Sequence, residues 1–267
     1  MSAFVLELKH RPEQRLDLSP LTPERLSGLA PKEIEALNLG TTRTPATVGD
    51  LFKIKSGDLS KMRFIGTDHR CDRIGHGLSA GEIAVEGDAG AYLGAAMRGG
   101  QMTVTGSAGM GAGASMAGGE LQIDGDVEER AAGMLVGEAH GMQGGRLVIG
   151  GNAGPMLGER MRRGLIVVGG DAADYVGARV IAGTIILKRG VGHFAGYGMR
   201  RGSLIFLEEP KQLLPTFGDC GVLDFDYLRV LEHGLSQTGL RINLGGRARR
   251  FMGDMAVLGK GEMLVLA

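Results

Sequence analysis

A glycine-led repeat of 19 residues runs through the middle of this 267-residue chain. The glycines that open successive units are Gly81, Gly100, Gly119, Gly145, Gly164, Gly183 and Gly202. Five of the six steps between them are 19 residues long, and the step from Gly119 to Gly145 is 26. A unit of this length is too short for a strand–helix–strand crossover. It therefore predicts short strands joined by tight corners and stacked unit on unit.

Each unit also carries the same apolar pattern. It opens with two apolar residues separated by one other residue: Ile83/Val85, Met102/Val104, Leu121/Ile123, Leu147/Ile149, Ile166/Val168, Ile185/Leu187 and Leu204/Phe206. A large apolar residue stands three positions before each leading glycine: Leu78, Met97, Met116, Met142, Met161, Val180 and Met199. Alternation places each pair on one face of a strand, and stacking buries these columns along a common axis.

We therefore predict a mainly β protein, a parallel, right-handed β-helix of about seven 19-residue coils with three short strands per coil. A two-layer sandwich is the weaker alternative, because it would not require so strict a repeat. A glycine and a small polar residue follow most strands, as in Gly106-Ser107 and Gly151-Asn152. Such pairs predict the corners of the coils, because these residues accept a positive φ or bond to their own backbone.

The flanks differ from the repeat and divide the chain into three regions. In residues 1–57 we expect a small α+β N-terminal cap, with a strand at 4–8 and two short helices that have Pro23 and Pro31 at their first positions. The β-helix occupies residues 58–209. Residues 210–267 predict a closing tail with one helix at 224–233 and strands at 241–244 and 263–266.

Charge and cysteine content argue against several classes of protein. Thirty basic residues balance thirty acidic ones, which is not the charge excess expected for binding nucleic acid or an acidic membrane surface. No apolar run is long enough to cross a membrane, and the first residues lack a signal-peptide core. Cys71 and Cys220 are too far apart for a C-x-x-C motif. We therefore expect a cytoplasmic protein with reduced thiols that binds neither nucleic acid nor membrane.

The repeats resemble the G-x-G-x-G β-helix family. The reiterated pattern reads Gly87-Asp88-Ala89-Gly90, then Gly94, Met97 and Gly99-Gly100. This family includes the C-terminal domain of the large subunit of glutamate synthase and the C subunit of formylmethanofuran dehydrogenase. The flanking motifs are similar to the second of these: Val48-Gly49-Asp50-Leu51-Phe52, Leu214-Pro215-Thr216-Phe217, and Gly253-Asp254 followed by Gly259-Lys260-Gly261-Glu262.

That resemblance implies a scaffold subunit of a hetero-oligomeric one-carbon complex, with the catalytic groups on its partner subunits. The archaeal complex interconverts carbon dioxide and formylmethanofuran. A related bacterial complex of methylotrophs, a formyltransferase/hydrolase, moves formyl from tetrahydromethanopterin to a methanofuran-type carrier and releases formate. Arginine outnumbers lysine 22 to 8, which suggests a GC-rich genome and favours the bacterial complex.

On this interpretation the chain itself binds no cofactor or metal, and the carrier belongs to the complex. Two alternatives remain open. The chain could be an enzyme with its own site near the first coil, or the β-helix subunit of another complex similar to glutamate synthase.

Two motifs that are similar to a phosphate-binding loop and to a metal site have structural explanations. The run Gly109-x-Gly111-x-Gly113 looks like a phosphate loop, but its glycines fall on repeat columns and no helix follows. A cluster of metal-type side chains lies in the degenerate first coil: His69, Cys71, Asp72 and His76. Its spacing matches no compact zinc pattern, so we expect polar residues where the cap meets the first coil.

Three features remain as candidate binding surfaces. The long repeat holds seven extra residues between Asp126 and Gly141. Stacked coils cannot accommodate them in the core, so they should bulge outward as a loop. We expect this loop to contact a partner through Glu128, Glu129 and Arg130.

The second feature is a column of arginines that follows the large buried residue of several units: Arg98, Arg162, Arg163, Arg200 and Arg201. Guanidinium groups suit paired contacts with carboxylates. The column predicts docking of an acidic partner surface, or of the glutamate-bearing tail that the resemblance implies for the carrier.

The third feature is an apolar strip on the outward face of the later strands: Val148, Val167, Ile186 and Ile205. The same positions in the first three units are Ala84, Thr103 and Gln122. A bare apolar strip is a binding patch or an aggregation hazard. We expect either the chain's own tail or a partner subunit to cover it.

Overall fold

The computed structural model describes residues 2–237 and 239–267. Its strands are β1 (Ala3–Leu8), β2 (Leu16–Asp17), β3 (Phe52–Lys55), β4 (Asp58–Thr67), β5 (Cys71–Asp72), β6 (Glu82–Gly87), β7 (Arg98–Val104), β8 (Gly118–Ile123), β9 (Gln143–Ile149), β10 (Arg163–Val168), β11 (Thr184–Leu187), β12 (Arg201–Phe206), β13 (Gly218–Asp224), β14 (Arg247–Gly253) and β15 (Lys260–Leu266). Its helices are α1 (Pro23–Leu26), α2 (Pro31–Glu35), α3 (Val48–Leu51) and α4 (Asp226–Gln237).

Thirteen of these strands form one sheet in the order β13-β14-β15-β12-β11-β10-β9-β8-β7-β6-β4-β1-β3, and β2 pairs with β5. Neighbours from β4 through β12 are all parallel. Their register follows the repeat, so Ile83 lies beside Met102 and Met102 beside Leu121. The prediction of a mainly β chain with a large parallel sheet is confirmed, and the arrangement is consistent with a β-helix.

The apolar columns form the core of the stack. Both alternating apolar residues of every unit are buried, and so is the column of Met, Leu and Val that precedes each leading glycine. A second row of parallel bridges runs along Ala89, Ala108, Val127, Ala153, Ala172 and Val191. Six of the seven units thus have one strand and one bridge residue, where three strands were expected. The rest of each unit is assigned as turns. The backbone bends there too sharply to form an extended strand.

The polar corner residues bond between units and not within them. Asn152 accepts a hydrogen bond from the backbone N–H of Asp171 through Oδ1 (2.8 Å), and Asp171 accepts one from Gly190 (3.0 Å). Asp126 does the same for Asn152 (2.6 Å), and Asp88 for Ser107 (2.9 Å). The expectation that these side chains bond to their own turn is wrong. A parallel stack places the next corner directly above each side chain, so its N–H is the nearer donor.

The N-terminal region continues the sheet and is tied to the first units. Strand β1 lies between β3 and β4. Helices α1 and α2 begin at prolines, as predicted. Asp72 receives two hydrogen bonds from Arg15, both 2.7 Å, and one from the backbone N–H of Ala91 (2.8 Å).

The C-terminal region returns to the stack. Strand β15 extends the sheet in parallel beside β12, and β14 and β13 follow it antiparallel. Helix α4 covers Asp226–Gln237, where 224–233 was expected. The strand expected at 241–244 is absent. Ile242 and Leu244 are buried by side-chain packing on the neighbouring sheet face, without pairing to a strand. In the parts of the chain that the structure describes, no helix is long and apolar enough to span a membrane.

Candidate functional site

Four of the five arginines singled out in the sequence line one shallow surface pocket. Arg162, Arg163, Arg200 and Arg201 surround a space of about 360 Å³ together with Ile181, Ala182 and Leu258. All four arginines are exposed. Arg98 is also exposed but lies outside this lining, because the column is interrupted at Ala117 and Gln143 between it and Arg162.

A larger cleft of about 560 Å³ adjoins this pocket and shares Ile181 and Arg200 with it. Three separate segments build its walls: Ala139 and His140 from the long repeat; Arg160, Arg179, Ile181, Tyr197, Gly198 and Arg200 from the later units; and Asp254, Ala256 and Val257 from the C-terminal region. Arg160 and Arg179 were not among the residues predicted from the sequence. The available signal was their shared column, directly before the buried Met161 and Val180.

A buried acid holds one of these arginines. Glu159 is only 3% exposed, and its Oε1 atom accepts a hydrogen bond from Arg179 at 3.2 Å. The Arg179 side chain is 52% exposed, so the rest of its guanidinium remains available to solvent or a ligand. The ion pair therefore orients Arg179 and leaves donor capacity unused.

A second buried acid closes the cleft from the C-terminal side. Asp254 is 2% exposed and accepts hydrogen bonds from the backbone N–H groups of Gly198 (3.0 Å) and Ala256 (2.9 Å). Burial alone would raise the pKa of Asp254, but hydrogen bonds to the carboxylate outweigh it and hold that pKa below its usual range. Asp254 is thus an ionised group that fixes the 254–256 turn against the last full unit.

The seven extra residues bulge at 134–140, and Val136 there is 96% exposed. Glu128, Glu129 and Arg130 are exposed too, but they precede the bulge. They lie on the regular turn, where the Glu129 carbonyl accepts from the Gly111 N–H (2.9 Å) and the Glu128 carboxylate from Met110 (3.1 Å). Their placement on the loop is therefore corrected, since backbone pairing keeps them in the stack.

The chain's own C-terminal region covers most of the apolar strip. Val167, Ile186 and Ile205 are buried, and Val148 is half-buried. The first three form a second core with these residues: Leu228 and Leu235 of α4, Ile242, Leu244, Ala248 of β14 and Leu264 of β15. Of the two covers considered, the tail is the one seen over these three residues.

The polar cluster of the first coil is dispersed. Cys71 is buried, and burial raises the pKa of its thiol to about 11. His76 is partly buried, which lowers its pKa, and its Nδ1 atom lacks a hydrogen-bond partner. His69 is exposed, and Asp72 is engaged by Arg15. Within residues 2–237 and 239–267, no three His, Cys, Asp or Glu side chains are grouped as metal ligands.

Comparison with known proteins gives a near-complete match. The C subunit of the formyltransferase/hydrolase complex Fhc from Methylorubrum extorquens is 43% identical over 264 residues, which is 98% of this chain and 99% of that protein. The C subunit of the tungsten-containing formylmethanofuran dehydrogenase 2 from Methanococcus maripaludis is 30% identical over 95 residues, 35% of each chain. No family model matches the sequence.

A solved structure agrees. The crystal structure of the formyltransferase/hydrolase complex from Methylorubrum extorquens, determined with methylofuran, contains a chain that aligns with a TM-score of 0.94 at 43% identity. The alignment covers 98% of this chain and 99% of that one. A match of this identity and coverage extends through both flanks as well as the repeats. The chain therefore belongs to the family formed by the C subunits of formyltransferase/hydrolase complexes.

Proposed function

We propose that this chain is the scaffold subunit of a hetero-oligomeric formyltransferase/hydrolase complex that handles formyl groups on a methanofuran-type carrier. The observation that carries the proposal is the 43% identity over 98% of the chain to a subunit of such a complex. The related complex was crystallised with methylofuran, which supports a carrier of that type. The archaeal dehydrogenase subunits match over about a third of the chain, so the bacterial reaction, which releases formate, is favoured.

The architecture supports a scaffold role. We infer a right-handed β-helix of about seven coils at 58–209, with a cap at 1–57 and a closing tail at 210–267. A stack of near-identical units presents long, rigid faces on which several partners can dock at fixed separations. In this proposal the catalytic groups and the carrier site lie on partner subunits, and the complex is cytoplasmic.

Co-purification tests the proposal directly. We expect the affinity-tagged chain, expressed in its own host, to bring down the other subunits of a formyl-processing complex, identified by mass spectrometry. The purified assembly should transfer and hydrolyse formyl groups, whereas the chain alone should do neither. Recovery of the chain without such partners, or formyl hydrolysis by the chain alone, would contradict the scaffold role.

The arginine pocket is proposed to dock an acidic partner surface or the carrier's acidic tail. Replacing Arg162, Arg163, Arg200 and Arg201 by Gln should weaken complex assembly or carrier retention. The deficit relative to the unsubstituted chain should be largest at low salt and shrink as the salt concentration rises, because salt screens the exposed charge pairs that the native arginines would make. A control replaces four exposed arginines elsewhere by Gln: Arg43, Arg189, Arg229 and Arg247. Equal behaviour of the two variants in pull-downs between low and high salt would refute the pocket's role.

A second contact is proposed at the long repeat, through Glu128, Glu129 and Arg130 together with the neighbouring bulge at 134–140. The bulge can be deleted without cutting the stack, because its flanks are already paired. The Met142 N–H bonds to the Ala132 carbonyl (2.9 Å) and the Ser115 N–H to the Gly133 carbonyl (2.8 Å). Deletion should leave a folded chain that binds its partners more weakly. Normal assembly with both the deletion and a Glu128→Gln, Glu129→Gln, Arg130→Gln variant would exclude this surface.

The apolar strip leaves one residue for a third contact. Val148 is half-buried at the margin of the tail-covered core, so it is the strip residue that we propose meets a partner.

A further inference from the structure

The 560 Å³ cleft has the construction of a small-molecule site. Its volume lies within the range of pockets that enclose small ligands. Its walls come from three segments far apart in sequence, with His140, Arg160 and Asp254 each contributed by a different one. The pairing of parallel units fixes the arginine wall, since the Arg160 N–H bonds to the Ala178 carbonyl (3.0 Å) and the Arg179 N–H to the Tyr197 carbonyl (2.7 Å).

The opening arises from a missing side chain. Arg160 and Arg179 occupy one column of the repeat, and the next residue of that column is Gly198. A Cβ atom at Gly198 would lie 3.2 Å from Cγ of Arg179, and the backbone there has φ of +68°, which L side chains rarely adopt. A larger side chain would therefore cover Arg179, and glycine leaves its guanidinium facing open space.

The cleft contains guanidinium groups that form no ion pair with any residue that the structure describes. In the described part of the chain, neither Arg160 nor Arg200 takes part in an ion pair, and Arg179 has one, to Glu159. Two polar atoms beside the cleft, Oε2 of Glu159 and Nδ1 of His140, are buried without a hydrogen-bond partner. Of these two atoms, the His140 nitrogen can donate a hydrogen bond to a bound anion in one tautomer, whereas the Glu159 oxygen can only accept one.

The balance of charge selects the kind of anion. Three guanidinium groups and the Asp254 carboxylate line the cleft, and Glu159 pairs with Arg179, which leaves a small positive excess. That excess suits a singly charged carboxylate, which a guanidinium binds through two parallel hydrogen bonds, better than a phosphate dianion. Ile181, Tyr197 and Val257 also line the cleft and offer apolar area to the rest of the ligand.

We propose that this cleft binds an organic carboxylate with an apolar body, with Arg160, Arg179 and Arg200 holding the carboxylate. Glu159 acts as a positioning residue that orients Arg179. The cleft shares Arg200 with the neighbouring arginine pocket, so the variants that test it are made at Arg160 and Arg179, which line the cleft and not that pocket.

Isothermal titration calorimetry on the purified full-length chain tests the proposal, with hippurate as the probe. Hippurate carries a carboxylate, an amide and a phenyl ring. We expect saturable binding to one site and at least tenfold weaker binding of three comparison probes: hippuramide, acetate and inorganic phosphate. Hippuramide removes the charge, acetate removes the apolar body, and phosphate changes the class of anion.

Two variants locate the site. Arg160→Gln removes a guanidinium that has no ion pair, and Arg179→Lys keeps the charge but loses the two-pronged geometry. Each should weaken hippurate binding about tenfold, whereas Arg189→Gln, at an exposed position elsewhere in the repeats, should not change it. Circular dichroism verifies that the variants fold. Equal binding of hippuramide, tighter binding of phosphate, unchanged binding by both cleft variants, or no measurable heat with hippurate would each overturn the proposal.

The assembled complex provides the last arm. Hippurate should bind the chain within the complex as it binds the free chain. Loss of binding on assembly would show that a partner covers the cleft, and would overturn its role as a site for a free ligand in the complex.

Discussion

At the scale of single residues, the corner ladder contributes stability through side chains that reach the next unit. Asn152→Ala removes the acceptor of the Asp171 N–H and should lower the free energy of unfolding by about 1 kcal/mol. Asn152→Ser retains an acceptor oxygen, as Ser107 does in the same column for the Asp126 N–H, and should cost much less. Urea denaturation of the three proteins checks this. Equal losses for Ala and Ser would show that the ladder bond contributes nothing.

The two cysteines should differ sharply in reactivity. Cys71 is buried and its thiol pKa is raised to about 11, so little thiolate forms at pH 8 and reagents have no access. Cys220 is exposed on β13. Iodoacetamide at pH 8 should therefore label Cys220 and leave Cys71 unmodified until the chain is unfolded, as peptide mass spectrometry will show. Comparable labelling of both in the folded protein would contradict the burial of Cys71.

The role of a residue can be predicted from sequence where its position recurs in every unit. It cannot be predicted where it depends on a contact with a segment far away in the chain. The column from Met97 to Met199 is recognisable as core because each member stands at the same distance from a leading glycine. In the cleft, only Arg160 and Arg179 share such a repeat position. Asp254 meets Gly198 across 56 residues, and that contact depends on how the C-terminal region folds back.

At the scale of elements, one carboxylate fastens α1 to the first units. Glu24 accepts hydrogen bonds from the Ser79 hydroxyl (2.6 Å) and from the N–H groups of Ser79 and Ala80 (both 2.9 Å). Partial burial of Glu24 would raise its pKa, but these bonds outweigh it and lower the pKa to about 2. Since the folded-state pKa is lowered, the stabilisation is present above the unfolded-state value of 4.5 and is lost as the pH falls toward 2.

Glu24→Gln should therefore destabilise the protein near neutral pH and not at low pH. We expect a loss of about 1 kcal/mol at pH 7, reduced from the full effect of the pKa shift because solvent screens this exposed side chain. The difference from the unsubstituted chain should shrink between pH 5 and pH 2 in denaturation curves. A difference that is independent of pH would mean that the carboxylate's charge is not involved.

The contact between α4 and the sheet should be the most sensitive surface of the tail. Val167 is 1% exposed beneath it, so Val167→Asp buries a carboxylate with no partner and should cost about 3–5 kcal/mol. Val148→Asp, at the half-buried position of the same strip, should cost far less. Thermal unfolding of both variants provides the comparison. Similar losses would show that the tail does not exclude water from Val167.

At the scale of the whole molecule, the stack of repeats could be predicted from sequence, but the way in which the C-terminal tail covers it could be predicted only in part. A strict repeat determines which residues pair between units, because each unit has to fit the next. The tail has no repeat to follow. The strip from Val167 to Ile205 indicated that something covers it, but sequence alone left tail and partner both open. Residues 241–244, expected as a strand, serve instead as an apolar segment packed over the strip.

The tail should therefore keep the molecule from associating with itself. Deletion of residues 210–267 would bare Val167, Ile186 and Ile205 and leave the edge of β12, which now pairs with β15, without a partner strand. Exposed apolar faces and free edges promote association, so the truncated chain should elute as large species in size-exclusion chromatography with light scattering.

Substitutions that act in opposite directions in the full and the truncated chain distinguish association through the exposed apolar strip from association caused by unfolding. Asp at positions 167, 186 and 205 destabilises the full chain because the charges are buried there. In the truncated chain the same three changes place charges on an open face and should reduce association. A truncated chain that remains monomeric without them, or one that associates equally with and without them, would show that the strip is not what the tail protects.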